Sequence, residues 1–64
     1  MAKNDMIAVS VLFVRETDAA ILVDDAGNEV WLPKSQIEFP DDAKLDDVID
    51  VSLPEWLAED KELI

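Results

Sequence analysis

Between Met6 and Val14 the chain alternates two sets of residues: Ile7, Val9, Val11 and Phe13, interleaved with Ala8, Ser10, Leu12 and Val14. A period of two places the sets on opposite faces of a strand, with the first set the better core face. Both sets are mostly apolar, and no polar stripe recurs at helical spacing. The pattern therefore predicts a central or strongly curved strand covered on each side, as in a small barrel or a helix-backed sheet. Arg15-Glu16-Thr17-Asp18 is a polar link of the length that joins adjacent antiparallel strands, leading into a second strand over residues 19–24. Ala20-Ile21-Leu22-Val23 is too short and too β-branched for a helix, and Asp24-Asp25-Ala26-Gly27-Asn28 carries strong turn chemistry. Gly27 is the only glycine, and a tight hairpin commonly needs a residue at positive φ. Glu29-Val30-Trp31-Leu32 alternates only partly, with Val30 and Leu32 on one side and Trp31 on the other. Pro33 ends that strand because it has no N–H for the ladder. Three strands thus form a meander centred on the hairpin of residues 19–39.

Downstream, Lys34-Ser35-Gln36 predicts a single helical turn, Ile37-Glu38-Phe39 an extended stretch, and Pro40-Asp41-Asp42 a turn. Residues 41–50, DDAKLDDVID, hold five aspartates. Aspartate is a poor helix former, so the segment reads as a loop entering a last strand over 47–53. Ile49, Val51 and Leu53 would be buried there, with Asp50 and Ser52 outside. Ser52 and Glu55 have the spacing of a capping box, with Pro54 early in the helix they open. Trp56 or Leu57, with Leu63 and Ile64 about two turns on, would close the open side of the sheet, leaving Glu55, Glu59, Asp60 and Glu62 in water. The expected fold is mainly β (α+β): a small antiparallel sheet or SH3-like barrel of four to five strands with one C-terminal helix. Residues 1–64 read as a single domain, with 1–5 frayed.

Composition narrows what such a fold can do. At 64 residues the chain is near the lower limit for a stable core, and it has no cysteine, so neither a disulfide framework nor a thiolate metal site is available. The apolar half of the composition must carry stability, as a monomer or a dimer. No secretory signal pattern and no apolar run of about 20 residues occurs, which points to the cytoplasm. Sixteen acidic against five basic residues give a net charge of -11. Nucleic acid and anionic membranes are repelled by that charge, so neither is an expected direct partner. A basic protein groove built for DNA or RNA is favoured; the plain alternative is that acidity serves solubility.

Histidine, cysteine and tyrosine are all absent, which removes the usual general bases and thiol nucleophiles. The pairs Asp24-Asp25, Asp41-Asp42 and Asp46-Asp47 could do acid/base work only if one carboxyl were desolvated. Adjacent acids in polar turns are ordinarily solvated, so the chain is not expected to be an enzyme. The stretch from Asp24 to Glu29 offers hard oxygen ligands but lacks the alternating acids, the closing glutamate and the flanking helices of a calcium loop. No metal and no cofactor is expected. Both tryptophans are expected in the core, Trp31 being the better candidate for an exposed anchor because the alternation sets it opposite Val30 and Leu32.

Two stretches, Glu29-Val30-Trp31-Leu32-Pro33-Lys34-Ser35-Gln36-Ile37 and Leu53-Pro54-Glu55-Trp56-Leu57-Ala58-Glu59, resemble small acidic proteins encoded by phages and prophages. The resemblance covers about a quarter of the chain and carries over no functional residue. It implies a setting in which acidity has a use, since such products include DNA mimics and inhibitors of host defence, among them anti-CRISPR proteins. Acids on strands and turns can form rows at roughly 6.6 Å along a strand and 4.8 Å between strands. The residues expected to contact a basic partner are Asp41, Asp42, Asp46, Asp47 and Asp50, backed by Glu55, Glu59, Asp60 and Glu62. The turn acids Asp24, Asp25 and Glu29 form a second candidate patch. The competing expectation is an interaction module that binds a protein through Trp31 and the turn from Pro33 to Gln36.

Overall fold

The computed structural model describes residues 5–64. It is mostly β: a four-stranded antiparallel sheet of β1 (Met6–Glu16), β2 (Ala20–Asp25), β3 (Asn28–Pro33) and β4 (Val48–Pro54), followed by one helix, α1 (Glu55–Asp60). The spatial order is β3-β2-β1-β4, so β1 is central, as its apolar run predicts. Lys34–Gln36 forms a single 3-10 turn directly after Pro33. The next segment touches β4 through one bridge, Glu38 to Ser52, with both backbone bonds at 2.8 Å. Residues 37–39 thus brush the outer edge of β4 without adding a full strand, and the sheet stays open.

Alternation decides which side of the sheet is the core. Val11 and Phe13 of β1, Ile21 and Val23 of β2 and Leu32 of β3 are buried, with Ile7, Val9 and Val30 packed partly against them. Ile49, Val51 and Leu53 fill the β4 side, as their spacing predicts. Leu57, Ala58 and Leu63 then cover this inner face. The ring of Phe39 meets that of Phe13 edge-on, with centroids 6.1 Å apart.

The outer face departs from expectation. Ala8 and Ser10 are exposed and Leu12 and Val14 only half-buried, so β1 is covered on one side alone. The physical reason is where the one helix goes: α1, six residues long, packs on the inner face, and no other described element lies over the outer one. At its far end β1 continues through Arg15 and Glu16, with a bulge between Phe13 and Arg15. The link to β2 therefore shrinks to residues 17–19, where Thr17 N–H donates to the Ala20 carbonyl at 2.8 Å and Ala20 N–H donates back to Thr17 Oγ1 at 3.1 Å.

The hairpin between β2 and β3 turns on two residues, Ala26 at φ 52 and Gly27 at φ 94. Two successive positive φ values match the right-handed twist of the flanking strands. Only the second residue is a glycine; alanine in that region carries a Cβ clash of roughly 1–2 kcal/mol. Asp24 steadies the turn, its Oδ1 accepting the Gly27 N–H at 2.7 Å.

The start of α1 corrects the capping-box expectation. Ser52 lies within β4 and bonds Glu38 through its backbone, while the N-cap position is Pro54, with no side-chain cap. The Glu55 N–H instead donates to the Asp5 carbonyl at 2.9 Å, so Asp5, expected to fray, is tied to the helix start. The remainder of that expected frayed segment, residues 1–4, lies outside the described residues. At the other end Leu63 N–H reaches the Ala58 carbonyl at 2.8 Å and Glu62 N–H that of Glu59 at 3.1 Å, with Glu62 at φ 61. This is a Schellman closure with glutamate where glycine is usual, and it folds Leu63 onto the core. Leu57 rather than Trp56 faces inward, and Ile64 points to solvent. Among the described residues no helix is long and apolar enough to cross a membrane.

Candidate interaction surface

No charged or polar residue is buried among those described, so the candidate acids lie at the surface, most of them in three separate groups. The first is the loop before β4. Asp41 and Asp42 sit exposed in the turn that Ala43 N–H closes onto the Pro40 carbonyl at 3.1 Å. Asp46, at φ 73, donates its N–H to the Phe13 carbonyl at 2.7 Å, and Phe13 N–H donates to the Asp47 carbonyl at 2.9 Å. The backbone of this pair is pinned to the central strand while both carboxylates remain in water.

The second group lies on the outer face of the sheet. Asp24 is cross-strand from Glu29 on one side and from Leu12 on the other, and like charges directly opposite are unfavourable. Asp50 faces Ser10, whose hydroxyl donates to its Oδ1 at 2.7 Å. Asp25, one residue beyond Asp24, alternates to the inner side beside Asn28; the Asn28 amide donates to the Lys61 carbonyl at 3.1 Å and ties the hairpin to the end of α1.

The helix acids make the third group, with Glu55 half-buried and Glu59, Asp60 and Glu62 exposed. Because α1 covers the inner face, these residues belong to the opposite side of the molecule from Asp50, Asp24 and Glu29. The fold therefore separates acids that the sequence places close together. Of the cations, Lys34 is already engaged, its Nζ lying 2.6 Å from Glu16 Oε2.

Neither tryptophan is a core residue. Trp31 is 44% exposed and Trp56 42%, which overturns the expectation for both. Trp31 lies on the outer face opposite Leu22, and with no described element above it the indole stays half-exposed. The sequence reading also missed Leu45 and Val48, exposed by 54% and 70% among the loop acids. Val48 could have been found, since alternation with buried Ile49 points it outward, beside Leu12. Of the 3-10 turn, Ser35 and Gln36 are exposed, while Pro33 and Lys34 are half-buried. Among the described residues there is no pocket and no group of three or more carboxylates placed to hold a metal ion.

Compared with protein-family models, curated proteins and solved structures, the chain matches none.

Proposed function

We propose that this chain is a small acidic binding protein that occupies a basic, nucleic-acid-binding groove of another protein and competes there with DNA. One observation carries the reading: a net charge of -11 on a chain whose described residues bury no charged group. A groove lined with lysine and arginine for phosphates would release its counterions to such a surface much as it does to DNA. The pinned pair Asp46 and Asp47, with Asp41 and Asp42, presents carboxylates on backbone already ordered, so little entropy is lost when they are met. The resemblance to phage-encoded acidic proteins points the same way. It supports a DNA-targeting defence complex as the target class, with the chain acting as an inhibitor in the host cytoplasm.

A partner captured from host lysate and challenged with labelled duplex DNA at rising salt tests the reading. The expected result is mutual exclusion with DNA and an affinity that falls steeply with ionic strength. Binding alongside DNA, or binding indifferent to salt, overturns it. The exposed Trp31 favours a second reading, an interaction module that docks through Trp31 and the turn from Pro33 to Gln36. Salt-indifferent binding lost on Trp31→Ala would establish that one instead.

A further inference from the structure

We infer that the free edge of β3 accepts an extended protein segment, carrying alternating basic and apolar residues, as an added antiparallel strand beside Trp31. The two edges of the sheet differ. The outer edge of β4 is met by Glu38, through bonds to Ser52 in both directions. Beyond β3 the described residues place no strand at all.

Which backbone groups face that edge follows from the turn. A two-residue hairpin makes Asp25 and Asn28 a pair that exchanges both hydrogen bonds, and the pattern repeats every second residue, at Val23 with Val30 and Ile21 with Leu32. The Lys34 N–H donating to the Ala19 carbonyl at 2.9 Å continues the same series. Glu29, Trp31 and Pro33 therefore direct their backbone groups away from β2. Pro33, with no N–H, bounds the usable edge, and Glu29 and Trp31 supply the donors. Nothing among the described residues bonds these donors.

The side chains beside those groups specify the occupant. Trp31 and Glu29 lie on the outer face, and Asp24 sits across from Glu29. A residue added opposite Glu29 or Trp31 would meet a carboxylate pair or an exposed indole, and lysine or arginine satisfies both. The residue between them would point to the inner face and cover half-buried Val30, which calls for an apolar side chain. A basic–apolar–basic strand is complementary in charge and in pattern; a second copy of this chain brings another net -11 and a second Glu29 to the same edge. This inference rests on the reading of the partner as a basic protein.

The probe is a short peptide alternating lysine or arginine with valine, compared with the same peptide methylated at alternate backbone amides. Charge is equal in the two, but the second cannot complete a ladder. Hydrogen exchange of the Glu29 and Trp31 amides, followed by NMR on the whole chain, gives the readout. Saturable slowing at those two amides, lost on backbone methylation, with affinity about tenfold weaker for Trp31→Ala, is expected. Equal binding of the two peptides, or unchanged exchange at Glu29 and Trp31, overturns strand addition. Slowing that rises with the protein's own concentration without peptide would also overturn it, identifying a second copy as the occupant. Competition with DNA at the captured partner is scored separately, so failure of the edge and failure of the groove reading are told apart.

Discussion

The two faces of β1 are built from similar residues and have different fates. Val11 and Phe13 are each 2% exposed, whereas Leu12 and Val14, between and beside them, are half-buried and Ser10 and Ala8 lie open. Composition accounts for part of this, since Ala8 and Ser10 offer little to bury, but Leu12 and Val14 are as apolar as Val11. The chain after β4 yields one short helix, and that helix covers the face presented by Ile49, Val51 and Leu53. Stability is thereby concentrated on one side, and the other side is left with a thin apolar strip, Trp31, Leu22, Leu12 and Val48, among Asp24, Glu29 and Asp50, with Arg15 opposite Leu22. A face that contributes little to folding is free to be used for recognition.

Substitutions on the two faces should separate them widely. Val11→Asp should leave the domain unfolded by circular dichroism. Burying an unpaired charge costs several kcal/mol, against a total stability of roughly 3–10 kcal/mol for a chain this long. Phe13→Ala should cost about 3–5 kcal/mol in urea denaturation, the usual range for emptying a buried aromatic site. Trp31→Ala, despite the larger side chain, should cost under about 1 kcal/mol, because a half-exposed side chain loses little transfer energy and leaves no cavity. A loss at Trp31 comparable to that at Phe13 would break the comparison.

Smaller effects test the hairpin and the acids. Ala26→Asn or Ala26→Gly should raise stability by roughly 0.5–1 kcal/mol, since either tolerates the positive φ that alanine resists. An unchanged or lowered melting temperature would count against the two-residue turn. Asp42, Asp46 and Asp47 all replaced by lysine should leave the melting temperature within a few degrees, because exposed charges contribute little. The same triple variant should no longer compete with DNA for a basic partner, while neutralising Glu59 and Asp60 on the helix side should matter much less. Titration with calcium, magnesium or zinc should produce no saturable shift of the melting temperature; micromolar stabilisation would show that the loop acids assemble into a site.

Much of this protein is legible in the chain itself. Period-two alternation locates β1, β2 and β4 and names Val11, Phe13, Ile49, Val51 and Leu53 as core, because a strand has only two faces and a one-residue slip would expose the whole set. Pro33 and Gly27 mark where strands stop and turn, since their backbone limits are intrinsic. Tertiary structure decided what depends on which surface the rest of the chain packs against. It left both tryptophans half-exposed, gave the β4 edge a cover that β3 lacks among the described residues, and seated Leu57 rather than Trp56 on the core. It also replaced the expected Ser52 cap by the Asp5 carbonyl, a partner fifty residues away in sequence. The acids show the division most plainly: their number and net charge follow from composition, but their sorting onto the loop, the outer face and the helix follows from which face α1 packs against.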